Sequence, residues 1–215
     1  MPHLLDIQNV HLKYNQKEIL TDFNLSVDQG DKILISGISG SGKTSIFKLI
    51  LGFIKADSGS ILFKGNKADA QSFQRIRQLT AYIPQDLDFA DGNVQAFLDQ
   101  MMQIKANRSI SKPDPLPLFR EFMLEPDILN KNIEELSGGE KQRLALITGL
   151  LLQKEIYLLD EPGSALDHEA RLRVIAHFTN FDKTLIVVAH DPDWLSISFA
   201  KHYELKNGAG WEHTI

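Results

Sequence analysis

KILISGISGSGKTSIFKLILGF, residues 32–53, changes character twice. Residues 32–36 are a short apolar run of the kind that forms a buried strand, and Gly37 ends it. From Lys43 the apolar residues recur at helical spacing, with Gly52 near the end. Between the two lies GISGSGKT, which matches G-x-x-x-x-G-K-[ST]. Glycines let backbone amides curl round an anion, and the helix that follows adds its positive N-terminal end. Lys43 is then placed to reach the β- and γ-phosphates of a nucleotide, and Thr44 to ligate Mg²⁺. Gly37, Ser39, Gly40, Ser41, Gly42 and Ser45 complete the expected cradle. A chance glycine turn explains the glycines alone; it leaves the strand before them and the helix after them unexplained.

Outward from this loop, the first 35 residues and the segments GSILFKG and LTAYIP read as strands. Residues 86–151 differ. NVQAFLDQMMQIK is helix-like, SKPDPLP is a proline-broken link and LFREFML is a short helix, so this stretch reads as an inserted helical subdomain. The core resumes over residues 152–215 with EIYLLDE, a helix near residues 167–178 and TLIVVAHD. Near-continuous apolar strands alternating with helices predict a parallel sheet covered on both faces, an α/β fold. The final HYELKNGAGWEHTI is expected to supply a closing strand or two and no regulatory domain.

Composition sets bounds. The 215 residues are enough for one substantial core with an appended subdomain. Hydrophobic residues at 43% and charged residues at 24% are ordinary for a globular protein. The net charge of −5 argues against a general nucleic-acid binder, which shows a basic excess. Cysteine is absent, which excludes disulfides and thiolate metal sites and fits a reducing cytosol. No signal peptide is evident in MPHLLDIQNV, and the apolar runs fall far short of the roughly 20 residues that cross a membrane. The chain is expected to be soluble on its own and to reach a membrane only through a partner.

Further residues fit the phosphate loop. Asp160 and Glu161 end the buried run IYLLDE; Asp160 is suited to hold Mg²⁺ and Glu161 to act on an attacking water. A positioned base of that kind contributes about 10²–10⁴ in rate. Gln85, in YIPQD, leaves a strand where it could touch both metal and water, although a loop glutamine alone is most often merely solvated. His190, in VVAHD, ends another strand within reach of a γ-phosphate; the remaining histidines show no metal-ligand spacing. Tyr14, in LKYNQKE, could stack on adenine, and an ordinary surface tyrosine is nearly as good a reading. ELSGGEKQR raises a separate question. Its SGGE is a capping box, with Ser137 capping a helix and Glu140 reaching back. That accounts for Ser137 and Glu140 but not for Gly138 and Gly139, each of which costs helix stability. Glycine-exposed backbone at a helix start is a second anion half-site.

In order along the chain, GISGSGKT, Gln85, LSGGEKQR, IYLLDE, SALD (Ser164 to Asp167) and His190 resemble the motif set of ABC ATPases. The resemblance spans essentially the whole chain, and so many motifs in register are far more specific than a lone phosphate loop. It implies a P-loop NTPase of the ABC ATPase type, with an N-terminal antiparallel β subdomain and the inserted helical subdomain. It also implies ATP and Mg²⁺ as ligands and a head-to-tail homodimer in which Ser137, Gly138 and Gly139 of one chain close over ATP held by the other. Asp167 would communicate across that interface. Gly163 departs from the pattern, since a threonine or similar residue is more usual before SALD, and is expected to loosen the turn. The short insert and PDILNKNIEELSGGEKQR are similar, more narrowly, to the small FetA-type ATPase of a two-component iron exporter.

The expected function is the energy-coupling subunit of a membrane transporter, held by a separate permease on the inner face of the cell membrane, with no nucleic-acid partner. The alternative is a soluble ABC ATPase acting on DNA or ribosomes. The short interval from Gln85 to Ser137 leaves no room for the long coiled coil of the DNA-acting members, and the chain carries one cassette rather than the two joined in translation factors. A plain nucleotide switch would leave the helical insert without a purpose. Leu87, Phe89, Phe97 and Met101 are candidates for an apolar groove that receives a permease helix.

Overall fold

A computed structural model describes residues 2–89, 91–104, 107, 113–206 and 209–213. The strands are β1 (Leu5–Tyr14), β2 (Lys17–Val27), β3 (Lys32–Gly37), β4 (Ser58–Phe63) and β5 (Asn66–Lys67). They continue with β6 (Thr80–Ile83), β7 (Ile156–Asp160), β8 (Thr184–Val188), β9 (Lys201–Lys206) and β10 (Ala209–His213). The helices are α1 (Lys43–Ile50), α2 (Ala70–Leu79), α3 (Val94–Gln103), α4 (Leu116–Glu121), α5 (Gly138–Leu151), α6 (His168–Thr179) and α7 (Pro192–Leu195).

Two sheets result. The first, four-stranded in the order β2-β1-β4-β5, is antiparallel throughout, as expected of the N-terminal part. The second is six-stranded in the order β10-β9-β3-β8-β7-β6. All its pairings are parallel except the edge pair of β10 with β9. Between β6 and β7 the described residues form α3, α4, α5 and 3-10 turns at Pro126–Asn130 and Ile133–Glu135, and no strand of either sheet.

The reason β7 and β8 read as unbroken apolar runs is visible in their packing. Ile156, Leu158, Ile186 and Val188 face a core shared with α1, α2 and the antiparallel sheet. Tyr157, Leu159, Leu185 and Val187 face a second core built with α3, α4, α5, α6 and α7. Each of these side chains is fully buried. Burial of such a residue is worth about 1.5–3 kcal/mol, so a sheet covered on both sides selects apolar residues at consecutive positions.

Helix starts follow capping chemistry. Asp69, Asn93, Ser137, Asp167 and Asp191 each accept a backbone N–H of the helix they begin. Helix α2 was not among the expected elements. Only Ile76 of its residues is fully buried, with Phe73 and Leu79 half-buried beside it at helical spacing. Its signal is thus a narrow apolar stripe in an otherwise polar segment, begun by the Asp69 cap on Ser72. The candidate groove residues Leu87, Phe89, Phe97 and Met101 are half-buried; the first three pack against the second core, and the rings of Phe89 and Phe97 meet edge to face at 5.2 Å.

Candidate active site

The strand ends of the parallel sheet and the loop after β3 enclose a cleft of about 580 Å³. Gly37, Ser39, Gly40, Gly42, Lys43, Thr44, Ser45, Gln85, Asp160, Glu161 and His190 all line it. The pairing of β3 with β8 and of β8 with β7 places these residues side by side although they lie far apart in the chain. The glycine at 42 has a specific cause: its φ is +102°, and a Cβ would stand 2.8 Å from the Ile19 side chain and 3.0 Å from its carbonyl. Strand β2 crosses the loop there, and no side chain fits. At the adjacent start of α1 the first amides have no intrahelical acceptor.

Lys43 is buried and folded back over its own loop, donating to the Gly37 carbonyl at 2.8 Å and the Ile38 carbonyl at 3.2 Å. Its Nζ lies 3.8 Å from Glu161 Oε1. Thr44 Oγ1 donates to Asp160 Oδ2 at 2.7 Å, while Asp160 Oδ1 is buried without a partner among the described residues. Asp160 is 1% exposed, and burial above all, with Glu161 beside it, pushes its carboxyl above the ordinary range. Burial and the same Asp160 carboxylate raise the Tyr82 hydroxyl to about 12. Two buried carboxylates thus face one buried ammonium. The donors left over are a hydroxyl, an orphaned carboxylate oxygen and a loop glutamine, all hard oxygens. Among the described residues no cluster of three or more carboxylates and histidines could hold a metal alone. That set fits Mg²⁺, which keeps several waters and binds through one or two carboxylates plus phosphate oxygens.

Glu161 adopts φ +50°, a left-handed backbone uncommon for its residue type, and its N–H donates to Val188 O at 2.8 Å. This directs its carboxylate to His190, whose Nδ1 lies 2.8 Å from Glu161 Oε1. His190 itself is mostly exposed at the cleft mouth.

Tyr14, Ser41 and the signature residues stand apart from this group. Tyr14 is 71% exposed at the end of β1 and does not line the cleft; Ile19 of β2 does. The Ser41 hydroxyl is buried and unpartnered among the described residues. Ser137, Gly138 and Gly139 lie outside the cleft of their own chain. The capping box is formed: Ser137 Oγ accepts the Glu140 N–H at 3.2 Å, and the Ser137 N–H donates to Glu140 Oε2 at 2.8 Å. That second bond is the main cause of the lowered Glu140 pKa. Gly139 has a local reason as well, since a Cβ would stand 3.0 Å from the Ala165 carbonyl of the SALD segment. Gly138 has none, its nearest contact being an ordinary 3.8 Å. Ile19, Ser36, Leu195 and Glu204 also line the cleft and escaped sequence reasoning, because each arrives from an element whose own pattern reports only its strand or helix.

A strand, glycine loop and helix facing an Asp-Glu strand end define a P-loop nucleotide-hydrolysing fold. The protein-family model described as ABC transporter matches residues 20–164. The chain belongs to that family, as an ATP-binding subunit with ATPase chemistry. It is 36% identical to the probable iron export ATP-binding protein FetA of Escherichia coli (strain K12), over 88% of this chain and 86% of that one. It is 31% identical to the ergothioneine transport ATP-binding protein EgtV of Helicobacter pylori (strain G27), over 96% and 99%. Its fold matches the dimeric structure of MJ0796, a bacterial ABC transporter cassette, with a TM-score of 0.82 at 23% identity over 98% of both chains. Among the described residues no helix is long and apolar enough to cross a membrane.

Proposed function

We propose that this chain is the ATP-hydrolysing, energy-coupling subunit of a membrane transporter, acting as a head-to-tail dimer with two composite ATP sites and docking on a separate permease at the inner membrane face. The observation that carries the proposal is the separation within one chain of the Lys43 cleft from the Ser137 turn. The Ser137 hydroxyl uses a lone pair on the Glu140 N–H, which leaves its proton free for an outside acceptor. Two copies facing one another would supply each other's missing half. The MJ0796 cassette was solved as a dimer, which supports this arrangement.

In this reading Lys43 and the loop amides would hold the β- and γ-phosphates. Thr44 would turn a lone pair to Mg²⁺ while still donating its proton to Asp160, with Gln85 nearby. The metal supplies charge neutralisation on the transferred phosphoryl group. Glu161 accepts the proton of the attacking water, and His190 fixes the orientation of that carboxylate. Tyr14 would meet the base from the end of β1.

The FetA relative supports metal export as the transport task, with iron as cargo. Pull-down from native membranes should recover a polytopic protein, and deletion of the gene should raise cell iron under iron load. Lys43→Ala should abolish ATPase activity; turnover within a few-fold of the unaltered protein would remove the site assignment. Recovery of nucleic acid or ribosomes in place of a membrane protein would favour the soluble alternative.

A further inference from the structure

Arg171 stands in the first turn of α6, where the positive end of the helix dipole disfavours a cation. Its surroundings account for it. Arg171 Nε donates to Asp193 Oδ2 at 2.7 Å, and Nη1 lies 3.1 Å from Asp191 Oδ2 and 3.4 Å from the Leu166 carbonyl. His168 Nδ1 also approaches Asp193 Oδ2, at 3.1 Å. The guanidinium lowers the Asp193 carboxyl, and all three charged partners of the clamp are about four-fifths covered.

The stem of Arg171 runs over Gly163. A Cβ at that position would stand 2.6 Å from Arg171 Cδ, 3.1 Å from Cγ and 3.5 Å from Trp194 Nε1. No left-handed φ demands glycine at 163; the need is for space. At this departure from the usual SALD context an arginine stem fills the room that a side chain would occupy.

The clamp joins two turns that both carry reacting groups. Gly163 follows Glu161 by two residues, in a turn closed by Ser164 N–H to Glu161 O at 3.2 Å and Leu166 N–H to Gly163 O at 3.1 Å. Asp191 directly follows His190, whose Nδ1 is 2.8 Å from Glu161 Oε1. Arg171 touches both turns, through the Leu166 carbonyl and its stem over Gly163 on one side and the Asp191 and Asp193 carboxylates on the other. We propose that Arg171 is a positioning residue for ATP cleavage, tying the turn after Glu161 to the turn after His190, and that Gly163 is the residue that admits it. This rests on the ATPase reading above.

The test uses the purified full-length chain and its Arg171→Ala, Gly163→Ala and doubly substituted forms. Arg171→Ala should lower kcat by about ten- to a hundredfold, the cost of a small misplacement of reacting groups. KM for ATP and the Kd of a fluorescent ATP analogue should stay within about twofold, since no phosphate contact is lost. Gly163→Ala should reproduce the kcat loss by displacing the arginine, and the double variant should be no slower than either single one. Gly163→Ala adds one methyl group, so it answers the question even if Arg171→Ala melts below the assay temperature. An unchanged kcat in both single variants overturns the proposal, as does a double variant whose losses multiply. An unaltered protein that neither binds nor hydrolyses ATP overturns the ATPase reading instead.

Discussion

Asp160 is where the site and the stability of the chain pull in opposite directions. Its carboxylate is 1% exposed, one oxygen is unpartnered among the described residues, and the nearby ammonium of Lys43 is already shared with Glu161. Asp160→Asn keeps the shape and the acceptor for Thr44 Oγ1 and removes the uncompensated charge. Leaving a buried polar group unsatisfied costs about 1–3 kcal/mol, more if charged. The amide that replaces the orphaned oxygen still lacks a partner, so only the charge excess, about 1 kcal/mol, is relieved in metal-free protein. For a chain of this size each kcal/mol moves Tm by about 2–4 °C, so the variant should melt about that much higher in EDTA. The pH dependence has a definite sign. The native pKa is raised, so between the unfolded and native values the folded state binds more protons and stability falls as pH rises. The penalty is complete above the native pKa, and the advantage of the variant should therefore shrink as pH falls through the raised range. Calorimetry in EDTA, then in Mg²⁺ with ATP, reads both halves. At a hundred times its Kd a ligand adds about 2.7 kcal/mol to the unaltered protein, and the variant should gain much less. A metal-free Asp160→Asn protein that melts below the unaltered one at neutral pH would refute the reasoning.

Glu161→Gln should bind ATP without cleaving it and elute as a dimer only with ATP; adding Ser137→Arg should restore the monomer while each chain still binds one ATP. A Glu161→Gln protein that stays monomeric at saturating ATP, with or without its permease, leaves the capping box as the whole account of SGGE. Gly138→Ala should lower ATPase activity with little change in Tm, whereas Gly139→Ala should also lower Tm, because only the second meets the Ala165 carbonyl; equal melting curves would contradict this. Tyr14→Ala should weaken ATP by about 1–3 kcal/mol and leave bare triphosphate untouched if the ring stacks on the base. Titration of both ligands decides it.

The strands and the phosphate loop were legible because their residues answer to local rules: glycine where backbone crowds, apolar runs where both faces are covered. Helix α2 was not, since it rests only Phe73, Ile76 and Leu79 on the core and is otherwise a polar segment. The cleft was legible only as separate motifs. That Glu161 reaches His190 and Thr44 reaches Asp160 follows from strand order, which no single segment encodes. Gly163 shows the limit most clearly. Read alone it is a loosened turn, and its meaning lies in Arg171, Asp191 and Asp193, which contact it or each other only in the folded chain.

The alternation along β7 and β8 has a consequence for how such a chain can diverge. Leu158 and Leu159 are neighbours, yet the first belongs to the core beneath α1 and the second to the core beneath α5 and α6. Substitutions with no shared partners add independently. Drift among the helices that pack on the second core can therefore be absorbed on one side of the sheet, without repacking the side that carries the phosphate loop. The sheet thus acts as a partition between two surfaces that can diverge at different rates, with the Arg171 clamp of α6 as the link that ties the second side to the turns after Glu161 and His190.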